Sequence, residues 1–118
     1  MGNKGSDLSF ISGVPELLVL RLLQRREMYG YEIVRAIGES TGKVIEVGEG
    51  SVYPILHAME KDKWVSSRRK TLDGRTRIYY RLTASGEKQL QKTTGRWAEI
   101  SAAVNRVLGS SNELEPGV

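Results

Sequence analysis

A chain of 118 residues can build one domain around a modest core, but not two. Its formal net charge is +4, and the lack of any cysteine excludes a disulfide framework, a thiolate metal site and a cysteine nucleophile. The longest apolar run, Val14 to Leu23, is broken by Pro15, Glu16 and Arg21 and falls short of the roughly 18 residues a membrane span requires. No secretory signal precedes that run, so the expectation is a soluble, cytoplasmic protein with no membrane partner.

Residues 1–12 are rich in Gly, Asn, Ser and Lys and read as a flexible arm. The opening Met1-Gly2-Asn3-Lys4-Gly5-Ser6 matches the loose N-myristoylation pattern, a short motif that arises by chance and anchors weakly even when used. From Val14 to about Arg26, the positions Val14, Leu17, Leu18, Leu22 and Leu23 follow helical spacing, and Pro15 suits a first turn. Glu27 to Gly30 reads as a short connection. Tyr31 to Ser40 reads as a second helix with Ile33, Val34 and Ile37 inward and Gly42 as its stop. Lys43 to Val47 alternates, which fits a short strand or an extended link. A flexible Gly48-Glu49-Gly50 segment then leads into a third helix whose N-cap is expected within Glu49 to Ser51.

That third helix, within Glu49 to Trp64, has two unlike faces. At about 100° per residue, Val52, Ile55, Leu56 and Met59 fall together. Tyr53, Pro54, His57 and Lys61 fall opposite, with Ser51 and Glu60 at the margins. A plain surface helix would more usually carry Lys, Glu and Gln there. A phenol, an imidazole and an ammonium on one exposed face suit contact with something polar and specific; the bland alternative is that Tyr and His fill gaps against neighbours.

Val65 to Lys70 and Arg77 to Leu82 read as two strands joined through Leu72-Asp73-Gly74-Arg75, where Asp-Gly is a strong hairpin signal. In the second strand Ile78, Tyr80 and Leu82 are expected to pack, with Arg77, Tyr79 and Arg81 on a wet face. Between Trp64 and Leu82 six basic residues (Arg68, Arg69, Lys70, Arg75, Arg77, Arg81) stand against one acid, Asp73, a net of +5 that exceeds the whole-chain excess. Clustered positive charge of this kind is a footprint for phosphate or anionic lipid. Thr83 is a natural cap for a last helix running to about Leu108, with Leu90, Trp97, Ile100, Val104 and Val107 along one seam. Residues 109–118 are polar, contain Pro116 and read as a disordered tail.

This order of elements is mainly α with a small β-hairpin, the layout of a winged helix-turn-helix with an additional helix at its C-terminal end. The division is residues 1–12 arm, 13–82 winged domain, 83–108 dimerisation helix and 109–118 tail. A helix with polar tips can enter the major groove and reach base edges, while cations on a neighbouring hairpin neutralise phosphates. An apolar seam that a small core does not absorb is most simply buried against a second copy, giving a two-fold dimer on double-stranded DNA. The candidate DNA contacts are Ser51, Tyr53, Pro54, His57 and Lys61 on the helix, and Arg68, Arg69, Lys70, Arg75 and Arg77 on the hairpin.

Other chemistries fit poorly. His57 is the single histidine, so a metal would have to rely on carboxylates, and no triad can be assembled around it. Gly38-Glu39-Ser40-Thr41-Gly42-Lys43 is one residue short of a phosphate-binding loop between its glycines and has Val44 where Ser or Thr belongs. Neither an enzyme nor a cofactor is expected. An alternative is a winged-helix protein-interaction module without specific DNA binding.

Three blocks carry a resemblance. Met28-Tyr29-Gly30-Tyr31-Glu32-Ile33, then Glu49-Gly50-Ser51-Val52-Tyr53-Pro54-Ile55-Leu56-His57-Ala58-Met59-Glu60, then Tyr79-Tyr80-Arg81-Leu82-Thr83-Ala84-Ser85-Gly86 together resemble the PadR family of bacterial transcriptional regulators. The resemblance spans about Gly13 to Gly86 and implies a dimeric DNA-binding repressor whose C-terminal helices pair. The short C-terminal region is similar to the small subfamily, which includes multidrug-responsive members with a Trp lining a cavity at the dimer interface. Trp97, within Arg96-Trp97-Ala98-Glu99, is similar in placement, and with Ile100 and Val104 it marks either an effector site for a planar hydrophobic or cationic ligand or a plain dimer seam. One departure is Lys63, where the family turn usually has Gly; a left-handed backbone there would cost about 1 kcal/mol.

Overall fold

A computed structural model of the chain describes residues 13–109. The arm, the tail and the acylation-like motif lie outside the described residues. Helix α1 (Val14–Arg25), strand β1 (Met28–Tyr29), helix α2 (Gly30–Ser40), helix α3 (Glu49–Lys61), strands β2 (Val65–Leu72) and β3 (Arg75–Leu82), and helix α4 (Ala84–Leu108) follow one another along the chain. Three strands form one antiparallel sheet in the order β1-β3-β2. Helices α1 to α3 with a β-hairpin wing make this a winged helix-turn-helix, extended by α4.

The core is where the helical periodicities converge. Val19, Leu20, Leu22 and Leu23 of α1 meet Ile33 and Ile37 of α2, and Val52, Leu56 and Met59 of α3. Met28, Val65, Tyr80 and Leu90 close the remaining sides. Val52 and Leu56 are fully buried, and removing an aliphatic side chain of that size from water is worth about 1.5–3 kcal/mol. This anchoring of one α3 face determines which residues the opposite face must present.

Three local expectations are corrected, and the choice between strand and link over Lys43 to Val47 is decided. Glu27 to Gly30 is more than a connection, because Met28 and Tyr29 pair with Tyr80 and Tyr79 and add a third strand to the hairpin. Lys43 to Val47 forms no strand: a turn at Gly42 and Lys43, both with positive φ, runs into an extended link tied down by Thr41. The N-cap of α3 is Gly48, which offers no side chain; Ser51 sits inside the first turn, its N–H bonded to the Gly48 carbonyl at 3.0 Å. Pro54, whose place early in the predicted helix suggests a start signal, is instead an interior residue of α3, exposed and unable to donate to the Gly50 carbonyl one turn earlier.

The hairpin turn comprises two residues, Asp73 and Gly74, with φ of 53° and 76°. Positive φ at both positions is the geometry that matches the right-handed twist of the flanking strands, which is why Asp-Gly stands there. The strands consequently run two residues further on each side of the turn than their apolar pattern implies. Lys63 has φ 66°, so the left-handed position anticipated after α3 exists and is occupied by a residue with a Cβ.

Thr83 caps α4, its Oγ1 accepting from the Gly86 N–H at 3.0 Å. Leu90, near the start, is buried in the core, whereas Trp97, Val104, Val107 and Leu108 are 42, 48, 73 and 64 % exposed. The later turns of α4 extend beyond the winged body, which gives the molecule a 65 Å long axis against 29 and 28 Å across. No described helix is long and apolar enough to cross a membrane.

Candidate nucleic-acid interface

Helix α3 sorts its residues as the wheel implies. Ser51, Pro54, His57 and Lys61 are exposed, while Val52, Leu56 and Met59 face the core. Tyr53 is the exception within the polar set. It is half-buried, and its ring lies on the first residue of α2: a Cβ built on Gly30 would come within 2.5 Å of the Tyr53 Cζ and Oη. Only glycine permits this approach. Tyr53 and His57 lie one turn apart with ring centroids 6.2 Å apart, so phenol and imidazole share one side of the helix.

The start of α2 is itself capped by a side chain from its first turn. The Glu32 carboxylate accepts from the Tyr29 N–H at 3.1 Å, satisfying a donor just ahead of the helix. Because Tyr29 is also the end of β1, the same few residues join the sheet, the second helix and, through Gly30 and Tyr53, helix α3.

Across the sheet, Tyr29 stands opposite Tyr79, their rings in an edge-to-face contact with centroids 5.3 Å apart. The expectation of a packed Ile78 and a wet Tyr79 is reversed: Tyr79 is 7 % exposed and Ile78 is 38 % exposed. The reason is positional. Ile78 lies on the part of the hairpin that extends past the body, whereas Tyr79 lies under Tyr29 and under the Lys70 ammonium, 4.7 Å from its ring centroid. Arg77 in turn stacks over the Tyr29 ring at 4.4 Å, an attraction of cation to ring face.

Glu27 is the acid on which two of these cations converge. Its carboxylate accepts from Arg68 Nη2 at 2.7 Å and Nε at 3.2 Å, a two-point fork, and from Lys70 Nζ at 2.9 Å. The Arg68 guanidinium, and after it Lys70, hold the Glu27 carboxyl down to about 2. Arg81 donates to the Ser66 hydroxyl at 3.1 Å. Arg69 and Arg75 are exposed and, like Lys61, have side chains with no ion-pair or hydrogen-bond partner among the described residues.

The structure thus places the ten DNA candidates on two neighbouring elements, α3 and the hairpin, but not as one uniform surface. Arg77 lies inside the hairpin against Tyr29 and not at its tip; Arg68 and Lys70 converge on Glu27. No role for Glu27 or Gly30 follows from the sequence pattern. Only the strand register brings Glu27 and Arg68 together across 41 positions of chain, so no local signal marks them. Trp97, Ile100 and Val104 all lie on α4 beyond Leu90, with Ile100 half-buried.

Among the described residues no group of three His, Asp or Glu side chains is placed to hold a metal ion. The molecule thus combines a helix with exposed polar tips, a cationic hairpin beside it, and a long helix with apolar side chains at its surface.

The profile of the transcriptional regulator PadR-like family matches residues 19–92. The chain is 33% identical to a PadR-like transcriptional regulator of Bacillus cereus strain ATCC 14579, whose crystal structure superposes with a TM-score of 0.73 over 85% of this chain and 96% of that one. A PadR family transcription regulator of Clostridium difficile R20291 superposes with a TM-score of 0.72 at 28% identity, over 81% of this chain and 99% of that one. A transcriptional regulator of Mycobacterium tuberculosis is 34% identical over 58 residues, covering 49% of this chain and 54% of that relative. With the matched segment taking in α2, α3, the whole sheet and the root of α4, this chain belongs to the PadR-like family of transcriptional regulators.

Proposed function

We propose that the protein is a dimeric, sequence-specific DNA-binding repressor that a small effector releases. The single observation behind the DNA half of this reading is α3: one face is sunk in the core, and the other offers Ser51, Pro54, His57 and Lys61 beside a cationic hairpin. In this reading α3 enters the major groove, where Ser51, His57 and Lys61 reach base edges and backbone. Pro54 packs against the groove. Tyr53, half-buried on Gly30, sets the depth of the helix and offers its hydroxyl to phosphate. The hairpin set of Arg68, Arg69, Lys70, Arg75 and Arg77 supplies the positive field that neutralises flanking phosphates. Membership of a family of transcriptional regulators supports the same reading.

The dimer half rests on α4. Trp97, Val104, Val107 and Leu108 are large apolar side chains left substantially exposed on one element. A second copy of α4 is the simplest cover, and it would present two copies of α3 to successive major grooves. Trp97, with Ile100 and Val104, would then line the seam where a planar hydrophobic or cationic effector inserts.

Selection of genomic fragments with purified protein tests the reading: a two-fold symmetric site should emerge, and changing His57 or Tyr53 to Ala should relax its sequence preference. Each lost base contact is expected to cost about 1–3 kcal/mol of discrimination. A monomer indifferent to duplex DNA in dilute buffer would refute it. The effector arm is read by tryptophan fluorescence titrated with planar dyes, using Trp97→Ala to subtract Trp64; absence of quenching up to the solubility limit removes that part alone.

A further inference from the structure

The ten-residue DNA surface treats the hairpin cations as equivalent, and the structure distinguishes them. Side chains alternate between the two faces of a strand. With Ser66 opposite Arg81, Arg68 opposite Tyr79 and Lys70 opposite Arg77, these six share one face. All four cations among them have a partner within the chain: Glu27 for Arg68 and Lys70, the Tyr29 ring for Arg77, Ser66 for Arg81. The other face carries Ser67, whose hydroxyl meets the Glu60 carboxylate of α3 at 2.5 Å, so it is the face turned toward α3. Arg69, one residue on from Arg68, is the one cation on that side. Arg75, opposite Leu72, lies on the braced face but flanks the turn, beyond the Lys70 and Arg77 pair, and its side chain has no partner among the described residues.

We propose that the hairpin divides its cations by role: Arg69 and Arg75 contact nucleic-acid phosphate, while Arg68, Lys70, Arg77 and Arg81 brace the hairpin on β1 and on itself, with Glu27 as the positioning residue that gathers the brace. This rests on the DNA-contact reading above and narrows it. An arginine committed to a two-point fork with a carboxylate would have to break that fork to meet a phosphate. An arginine whose side chain has no partner among the described residues has no such fork to break. β2 is an edge strand of the sheet and the strand next in sequence after α3, so its α3-side cation is carried along whatever groove wall α3 approaches.

The test is the salt dependence of binding to a mixed-sequence DNA duplex by the full-length protein, read by fluorescence anisotropy. Each phosphate contact contributes about 0.9 to the slope of log affinity against log salt. Arg69→Ala and Arg75→Ala should each flatten the slope by about that amount, and Arg69→Lys should restore it. Arg68→Ala and Arg81→Ala should leave the slope at the parent value. Glu27→Gln should weaken binding roughly two- to tenfold at every salt concentration, the entropic cost of re-ordering a loosened hairpin, with the slope unchanged. Flattening by Arg68→Ala or Arg81→Ala equal to that of Arg69→Ala, or a steeper slope and tighter binding in Glu27→Gln, would overturn the division while leaving DNA binding intact. A parent protein with no salt-dependent affinity for DNA would instead overturn the reading on which it rests.

Discussion

Replacing Gly86 by Ala places a methyl group 2.1 Å from the carbonyl oxygen of Trp64 and 3.0 Å from its carbonyl carbon. A carbon rests against such an oxygen at about 3.3 Å or more, so α4 and the segment after α3 must separate by about 1.2 Å. Neither side can yield by turning a side chain, because both are backbone. The same junction is closed by Thr83 N–H donating to the Trp64 carbonyl at 3.0 Å, and by the Thr83 and Ser85 hydroxyls donating to the Lys63 carbonyl at 2.7 and 2.8 Å. Losing these three bonds at about 1 kcal/mol each, less a few tenths for the better helix propensity of Ala, gives a destabilisation of about 2–4 kcal/mol. Gly38→Ala is the internal reference, since a Cβ there meets nothing closer than Glu46 Cγ at 4.0 Å. That change should be neutral or stabilising by up to about 1 kcal/mol. Urea unfolding at one fixed protein concentration, with equal slopes for parent and variants, reads both. A Gly86→Ala protein within about 0.5 kcal/mol of the parent would refute the reasoning, because it would mean that this backbone junction gives way freely.

Gly30→Ala drives a methyl into the Tyr53 ring and should cost about 1–3 kcal/mol, but in a Tyr53→Ala background the cost should largely vanish; additive effects of the two changes would show that the contact is not the cause. The Glu27 carboxyl is held at about 2, below its ordinary 4.5, chiefly by Arg68 and then by Lys70. A depressed folded value means that the stabilisation is present above the ordinary glutamate range and is lost as pH falls toward about 2. The stability difference between the parent and Glu27→Gln should therefore be flat from neutral pH to about 4.5 and shrink below it; a difference independent of pH would exclude the ion pairs as its source.

Much of this architecture was legible in the residues because it depends on nearest neighbours in sequence. The spacing of Val52, Leu56 and Met59 is a property of one helix, and so is the exposure of Ser51, His57 and Lys61 that follows from it. Asp73-Gly74 satisfies a backbone requirement local to four residues, and Thr83 bonds a donor three positions away. The left-handed conformation at Lys63 meets a condition that only the family resemblance raises, since that turn usually carries Gly. What chain order could not convey is pairing at a distance. The Met28-Tyr29 strand exists because β3 supplies its partner, and a two-residue stretch has no period to detect. The exposures of Ile78 and Tyr79 ran against simple alternation because the body covers only part of the hairpin, and Tyr29 covers Tyr79 from the far side. The six hairpin cations look alike along the chain, yet the register brings Arg68 and Lys70 to Glu27 and leaves Arg69 on the side facing α3. Periodicity assigns a side chain to a face; which neighbour waits on that face depends on how the elements dock.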